Sequence, residues 1–172
     1  MKEFVRGGGT LVAFDGSCSW VIDLFQLPLK NVLKESSAKD FACPGSVLRA
    51  VVKPHVLTAG LPDDVAVFFS DSAGWKVMTK TEREAASRVD APVTTLLEYA
   101  PTQLLLSGYI SNAKALEGAA AWVGTQEGKG QIHLFGFRPH YRGWSQGTFH
   151  LLFRSVLLSP SLTTPLAPPK TL

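Results

Sequence analysis

The chain has 172 residues, of which 45% are hydrophobic and 18% charged, and a net charge of +3. That suits one globular domain with a substantial core, and so mild a basic excess does not point to nucleic acid. Two cysteines make neither a disulfide framework nor a zinc ribbon, and no apolar run nears the roughly 20 residues needed to cross a bilayer.

The first 25 residues carry the strongest local signal. Gly7-Gly8-Gly9 leads into the apolar run Leu11-Val12-Ala13-Phe14, read together with Phe4 as a glycine-hinged strand. Asp15, Gly16, Ser17 and Ser19 form a small polar turn. Trp20, Val21, Leu24 and Phe25 then recur at helical spacing. The opening residues do not read as a signal peptide, because the apolar stretch after them is short and broken by glycine. Leu27-Pro28-Leu29 ends this helix, and residues 30–40 read as a polar surface connection. Strands are expected at 46–52, 65–69, 93–99 and 104–110, with 75–78 pairing with a segment later in the chain. Residues 81–88 read as an exposed charged turn of helix or a disordered insert. Residues 119–123 and 131–137 form a hairpin across 126–130. Residues 148–158 are nearly all apolar, which predicts a helix buried against the sheet. Residues 159–172, rich in Pro, Ser and Thr, read as a disordered tail. The pattern predicts an α/β domain over 1–158, a mixed sheet flanked by helices with an apolar helix at its C-terminal end.

In open α/β sheets, ligands and reactive groups gather at the carboxyl ends of strands. Two such places stand out. One is the turn at Asp15. The other is Arg138, His140 and Arg142, between a strand end and the last helix, with Gln146 and Thr148 near that helix's amino terminus. No acidic residue follows Glu127. Two arginines beside free backbone N–H groups suit a carboxylate or phosphate. The competing reading pairs the arginines with internal carboxylates, Asp15 among them. His133 is expected to point outward from its strand and His55 to sit in a loop. Trp75, Trp122 and Trp144 are expected in the core, and Asp63, Asp64 and Asp71 in turns.

The strand and turn around Asp15 resemble the elbow of class I glutamine amidotransferase-like domains, where a Gly-Gly pair precedes the strand bearing a nucleophilic cysteine. Counted from Gly8-Gly9, the nucleophile position is Asp15. A carboxylate cannot perform thiolate chemistry. Cys18, in Gly16-Ser17-Cys18, offers a second register about a turn too late, with Trp20 where a glycine belongs. The late segment Phe137-Arg138-Pro139-His140 resembles the family's Phe-His-Pro-Glu-like run. Arg138 stands at the base position and cannot accept a proton; His140 stands at the acid position.

A wider resemblance covers nearly the whole ordered chain, in FVRGGGTLVAFDGS, FACPGSVLRAVVKPHVLTAGLPDDVAVFF and LLLSGYISNAKALEGAAAWVGTQEGKGQIHLFGFRPHYRGWSQGTFHLLFRSVLL, with GFRPHYRGWSQGTFHLLF its most specific part. These segments are similar to the carboxy-terminal region of large bacterial zinc carboxypeptidases of the carboxypeptidase A type. There a metallopeptidase domain precedes an amidotransferase-like one. The resemblance implies a partial flavodoxin-like fold lacking its first strands. It implies an exported parent protein that releases carboxy-terminal residues, with zinc in the peptidase domain. That domain is the implied partner. Zinc needs a His-x-x-Glu pair and a second histidine. His55, His133, His140 and His150 are followed at that offset by Thr58, Gly136, Gly143 and Phe153. The expectation is therefore a non-catalytic accessory domain, with no metal, nucleic acid or membrane of its own. A stand-alone hydrolase using Cys18 or Asp15, or a small anion-binding module, stays open beside it. Loss of the strands before Leu11 would leave an edge prone to self-association.

Overall fold

A computed structural model describes residues 1–143 and 145–159 of the chain. Its elements in chain order are α1 (Lys2–Arg6), β1 (Thr10–Phe14), α2 (Ser17–Phe25), β2 (Leu29–Asn31), β3 (Ser46–Val52), β4 (Asp64–Phe69) and β5 (Trp75–Val77). There follow α3 (Lys80–Ala85), β6 (Val93–Tyr99), β7 (Leu105–Ser107), β8 (Ala120–Glu127), β9 (Gly130–Phe135) and α4 (Phe149–Leu157). The fold is α/β: a mixed, open sheet in the order β1-β9-β8-β6-β3-β4, with β7 paired to β3, β5 paired to the start of β8 and β2 paired to β5. β1 runs parallel to β9, whereas the ladders from β9 across to β4 are antiparallel.

Local chemistry explains most of these elements. The β8–β9 hairpin turns at Gly128-Lys129, with Gly128 at φ +60°, the left-handed conformation that a tight hairpin demands. The exposed charged stretch becomes α3 because Thr79 and Glu82 form a capping box. Thr79 Oγ1 accepts from the Glu82 N–H at 3.3 Å, and Glu82 Oε2 accepts from the Thr79 N–H at 2.8 Å. α2 stops where Gln26 adopts φ +55°.

The sheet has a core on each face. One is built on Leu48, Tyr99, Trp122, Phe135, Phe137 and Leu151, the last from α4. The other joins Val21, Ile22 and Phe25 of α2 to Trp75, Val123, Ile132 and Leu134. Trp75 and Trp122 are core residues, as expected from the sequence; Trp144 lies outside the described residues.

Several expectations need correction. Phe4 is not part of a strand but of α1, a short helix packed on the start of β9. The contact is so close that a Cβ on Gly130 would lie 2.0 Å from the Val5 carbonyl oxygen. Trp20 is not on the buried stripe of α2: Cys18, Val21, Ile22 and Phe25 are, and Trp20 is 54% exposed. His133 does not point outward. β9 is covered on both faces, so all six of its residues are buried and the period-2 alternation has no wet side. His55 does lie in a loop, as expected, but is buried there, its Nδ1 accepting from the Leu57 N–H at 3.1 Å and closing the turn Val56–Thr58.

The last helix is where expected but is not buried all round. It buries Leu151 and Ser155, while Phe153, Val156 and Leu157 are exposed. Arg154 holds one flank, donating to the carbonyls of Leu57 at 3.3 Å and Ala59 at 2.6 Å. Ser159, assigned to the tail, is buried with its Oγ 2.6 Å from His133 Nε2. The remainder of the expected disordered tail, 160–172, lies outside the described residues.

Candidate functional site

The parallel pair β1–β9 sets the site, because both strands release their chains at the same edge of the sheet. β1 ends at Phe14, and Asp15 takes φ +47°. That is the left-handed region, in which Asp and Asn are the most tolerated residues after glycine. Ser17 Oγ accepts from the Phe14 N–H at 3.0 Å and donates to its carbonyl at 2.6 Å. The Cys18 N–H donates to the Asp15 carbonyl at 3.0 Å, starting α2. Strand, strained residue and helix follow one another as in a nucleophile elbow, with a carboxylate at the bend.

β9 delivers the opposing group. Beyond Phe135 the chain passes through Gly136, where a Cβ would lie 2.1 Å from the Ala73 carbonyl oxygen, so only glycine lets the two segments meet. Two residues later Arg138 donates from Nε to Asp15 Oδ2 in a short ion pair. The Asp15 side chain is 10% exposed and that of Arg138 42%. Burial raises the Asp15 carboxyl above its usual range. The Arg138 and Ser72 hydrogen bonds pull it back, and the charge of Asp71 pushes it further up. Burial outweighs the pair in that balance, so the Asp15 carboxyl stays above its ordinary range even with the arginine beside it.

The other residues singled out from the sequence spread around this pair. Arg138 and Arg142 both lie over the Tyr141 ring, at 5.2 and 5.3 Å from its centroid. Tyr141 itself stacks on Phe68 at 4.7 Å. His140 is exposed and meets Phe14 edge-on at 5.2 Å, beside the elbow. Gln146 is elsewhere: with Ser145 and Gly147 it forms the wall of a groove of about 740 Å³ along β4. Thr148 does not face a ligand. Its hydroxyl donates towards the carbonyls of Pro139 at 2.5 Å and Ser145 at 2.7 Å, fastening the helix start to the Arg138 segment. Four of the five candidates, Asp15, Arg138, His140 and Arg142, therefore converge, and Gln146 does not.

Cys18 is fully buried and its Sγ–H donates to the Phe135 carbonyl at 3.2 Å. Burial, with the charge of Asp15 added, drives its thiol far above the ordinary range. A thiolate, the form that attacks, is suppressed there. We expect a disulfide reagent at pH 8 to leave Cys18 unmodified in the folded protein and to react on unfolding. Rapid modification under native conditions would show the thiol to be open. Cys43 is likewise buried and raised, in the wall of a groove of about 460 Å³ with Phe41, Asp71, Ser72 and Tyr109.

Ser72 and Tyr141 carry no signal of their own in the sequence, and Ser17 and Asp71 read there only as turn residues. Ser17 and Tyr141 adjoin the two segments singled out from the sequence. Asp71 and Ser72 come from the loop after β4, and only the fold brings them near β1. Among the described residues, no group of three or more His, Cys, Asp or Glu side chains could hold a metal ion. No helix among them is long and apolar enough to cross a membrane. No family model, curated protein or solved structure matches the chain.

Proposed function

We propose that the chain is a non-catalytic, amidotransferase-like accessory domain of a zinc metallocarboxypeptidase. In this reading the metal and the release of carboxy-terminal residues belong to a separate peptidase domain, which is the domain's partner. The observation that carries the non-catalytic reading is the Asp15–Arg138 pair. The bend that positions a nucleophile in such domains carries a carboxylate, and the position of the base carries a permanently charged arginine. The two neutralise each other and hold β1 to the segment after β9. The link to a zinc carboxypeptidase rests on the sequence resemblance over 4–17, 41–69 and 104–158, with 136–153 its most specific part.

A cysteine hydrolase is disfavoured by the burial of Cys18. The test is turnover. We expect the purified chain, with or without added zinc, to show no glutaminase, esterase or carboxypeptidase activity above background, and Asp15→Asn and Cys18→Ala to change nothing. Activity that disappears in either variant would overturn the reading. The coding sequence upstream of Met1 tests the parentage separately: an in-frame His-x-x-Glu segment supports it, and an independent start counts against it.

A further inference from the structure

β1 ends the sheet. It pairs with β9 and, among the described residues, with no other strand. Its inward groups are settled: the Gln131 N–H donates to the Gly9 carbonyl at 3.2 Å, and the Asp15 N–H to the Phe135 carbonyl at 2.9 Å. In a parallel ladder alternate residues face the partner strand, so Thr10, Val12 and Phe14 turn their N–H and C=O groups outward. Ser17 closes the edge at Phe14. At the other end the Gly8 N–H is taken by the Val5 carbonyl. Two donors and two acceptors remain, on Thr10 and Val12. The strand TLVAF has no charge, proline or register shift to blunt this edge. The opposite edge, β4, opens on Asp64, and the turn Gln146–Thr148 packs against it.

Apolar side chains flank the open edge on both faces. On α2, Ser17, Trp20 and Leu24 share one stripe, and the bonds of Ser17 to Phe14 put that stripe over the edge of β1. Trp20 is 54% exposed. On α4, Arg154 fixes one flank to the turn after β3. The other flank carries Phe149, Leu152, Phe153 and Val156 at i, i+3, i+4 and i+7. α4 also contacts β1, and Phe153 and Val156 are 57% and 47% exposed.

We propose that this face binds a second copy of the chain, the two β1 strands pairing antiparallel about a two-fold axis at Leu11. Thr10 then exchanges N–H···O bonds with the partner's Val12, and Val12 with the partner's Thr10, which satisfies all four open groups. A two-fold contact needs a self-complementary patch. An uncharged run of two donors and two acceptors, closed at both ends, is one. Trp20 of α2 and Phe153 and Val156 of α4 meet their counterparts above and below the joined sheet. Trp20, Phe153 and Val156 are 54%, 57% and 47% exposed, so apolar surface flanks the edge on both faces and would be removed from water in the pair. The surface does not depend on the reading of the elbow: the chain can be inactive and monomeric, or active and dimeric.

Light scattering on the full chain during gel filtration tests this. We expect a dimer that dissociates on dilution. Val12→Pro removes an outward N–H that makes no bond to β9, and it is expected to weaken the dimer at least about tenfold. Phe153→Glu, at an exposed position, should do the same while leaving the melting temperature of the dilute monomer unchanged, which covers the case in which the proline disturbs β1. A monomer at all concentrations overturns the proposal. So does a dimer indifferent to both variants, or an open series of larger species.

Discussion

Lowering the pH from 7 to 3 is expected to cost the fold about 4–5 kcal/mol through His133 alone. Burial, with the nearby charge of His55 added, lowers the His133 imidazole from 6.5 to about 3, and each unit of such a difference is worth about 1.4 kcal/mol. The sign follows from which state takes the proton. Above pH 6.5 the ring is neutral in both states and stability is complete. Below it the unfolded chain is protonated first, so stability falls steadily until the folded ring titrates near 3. The surroundings leave the cation only a neutral hydroxyl, Ser159 Oγ at 2.6 Å from Nε2, with the Trp122 ring at 5.9 Å and Val12 and Gly124 opposite on the flanking strands. His55, also lowered by burial, adds in the same direction. Chemical denaturation of wild type and His133→Leu over this pH range decides the matter. The leucine variant should show a much flatter acid limb. Parallel curves would mean that His133 is not held neutral in the fold.

Arg138→Ala is expected to destabilise by roughly 2 kcal/mol at pH 7, because it leaves a buried carboxylate without its charged donor. A larger cost is not expected, since Arg138 is 42% exposed and its attraction is screened. The loss should depend on pH. Asp15 is raised by burial even with the arginine present, so the folded state favours its protonated form. That advantage is full below the ordinary carboxylate range and is lost as pH rises through the folded value. The pair matters only once Asp15 is ionised. Wild type and Arg138→Ala should therefore be nearly equal near pH 3 and diverge as pH rises. Asp15→Asn keeps a residue suited to φ +47° and removes the charge, so in the Arg138→Ala background it should restore most of the loss. A penalty that is the same at pH 3 and pH 7 would mean that Arg138 acts through packing on Tyr141 rather than through Asp15.

Much of this architecture could be read from local signals. β3, β4 and β6 are rich in Val, Leu, Phe, Thr or Tyr between turn residues, and the β8–β9 hairpin is marked by Gly128-Lys129 between apolar strands. Asp15 and Arg138 could be matched because each stands just beyond the carboxyl end of an expected strand, where opposite charges can meet. The errors share a cause. Whether His133 is wet or dry depends on what lies across β9, and α4 is built from residues later in the chain. Whether 148–158 is buried all round depends on the two carbonyls that capture Arg154, which come from the turn after β3. Trp20 obeys helical spacing with Leu24, but the buried stripe runs through Cys18, Val21, Ile22 and Phe25. Periodicity gives the spacing of a stripe and not which of two stripes meets the sheet. Asp71 and Ser72 join the site only through the fold.

The bend after β1 holds a half-buried ion pair, Asp15 with Arg138. A double-mutant cycle on Asp15→Asn and Arg138→Ala, followed by denaturant unfolding at pH 7, tests this most directly. The two changes are expected to be coupled by at least about 1 kcal/mol, the double variant being more stable than the sum of the single losses requires. Additive losses would contradict a structural pair, because Asp15 and Arg138 would then contribute to the fold independently.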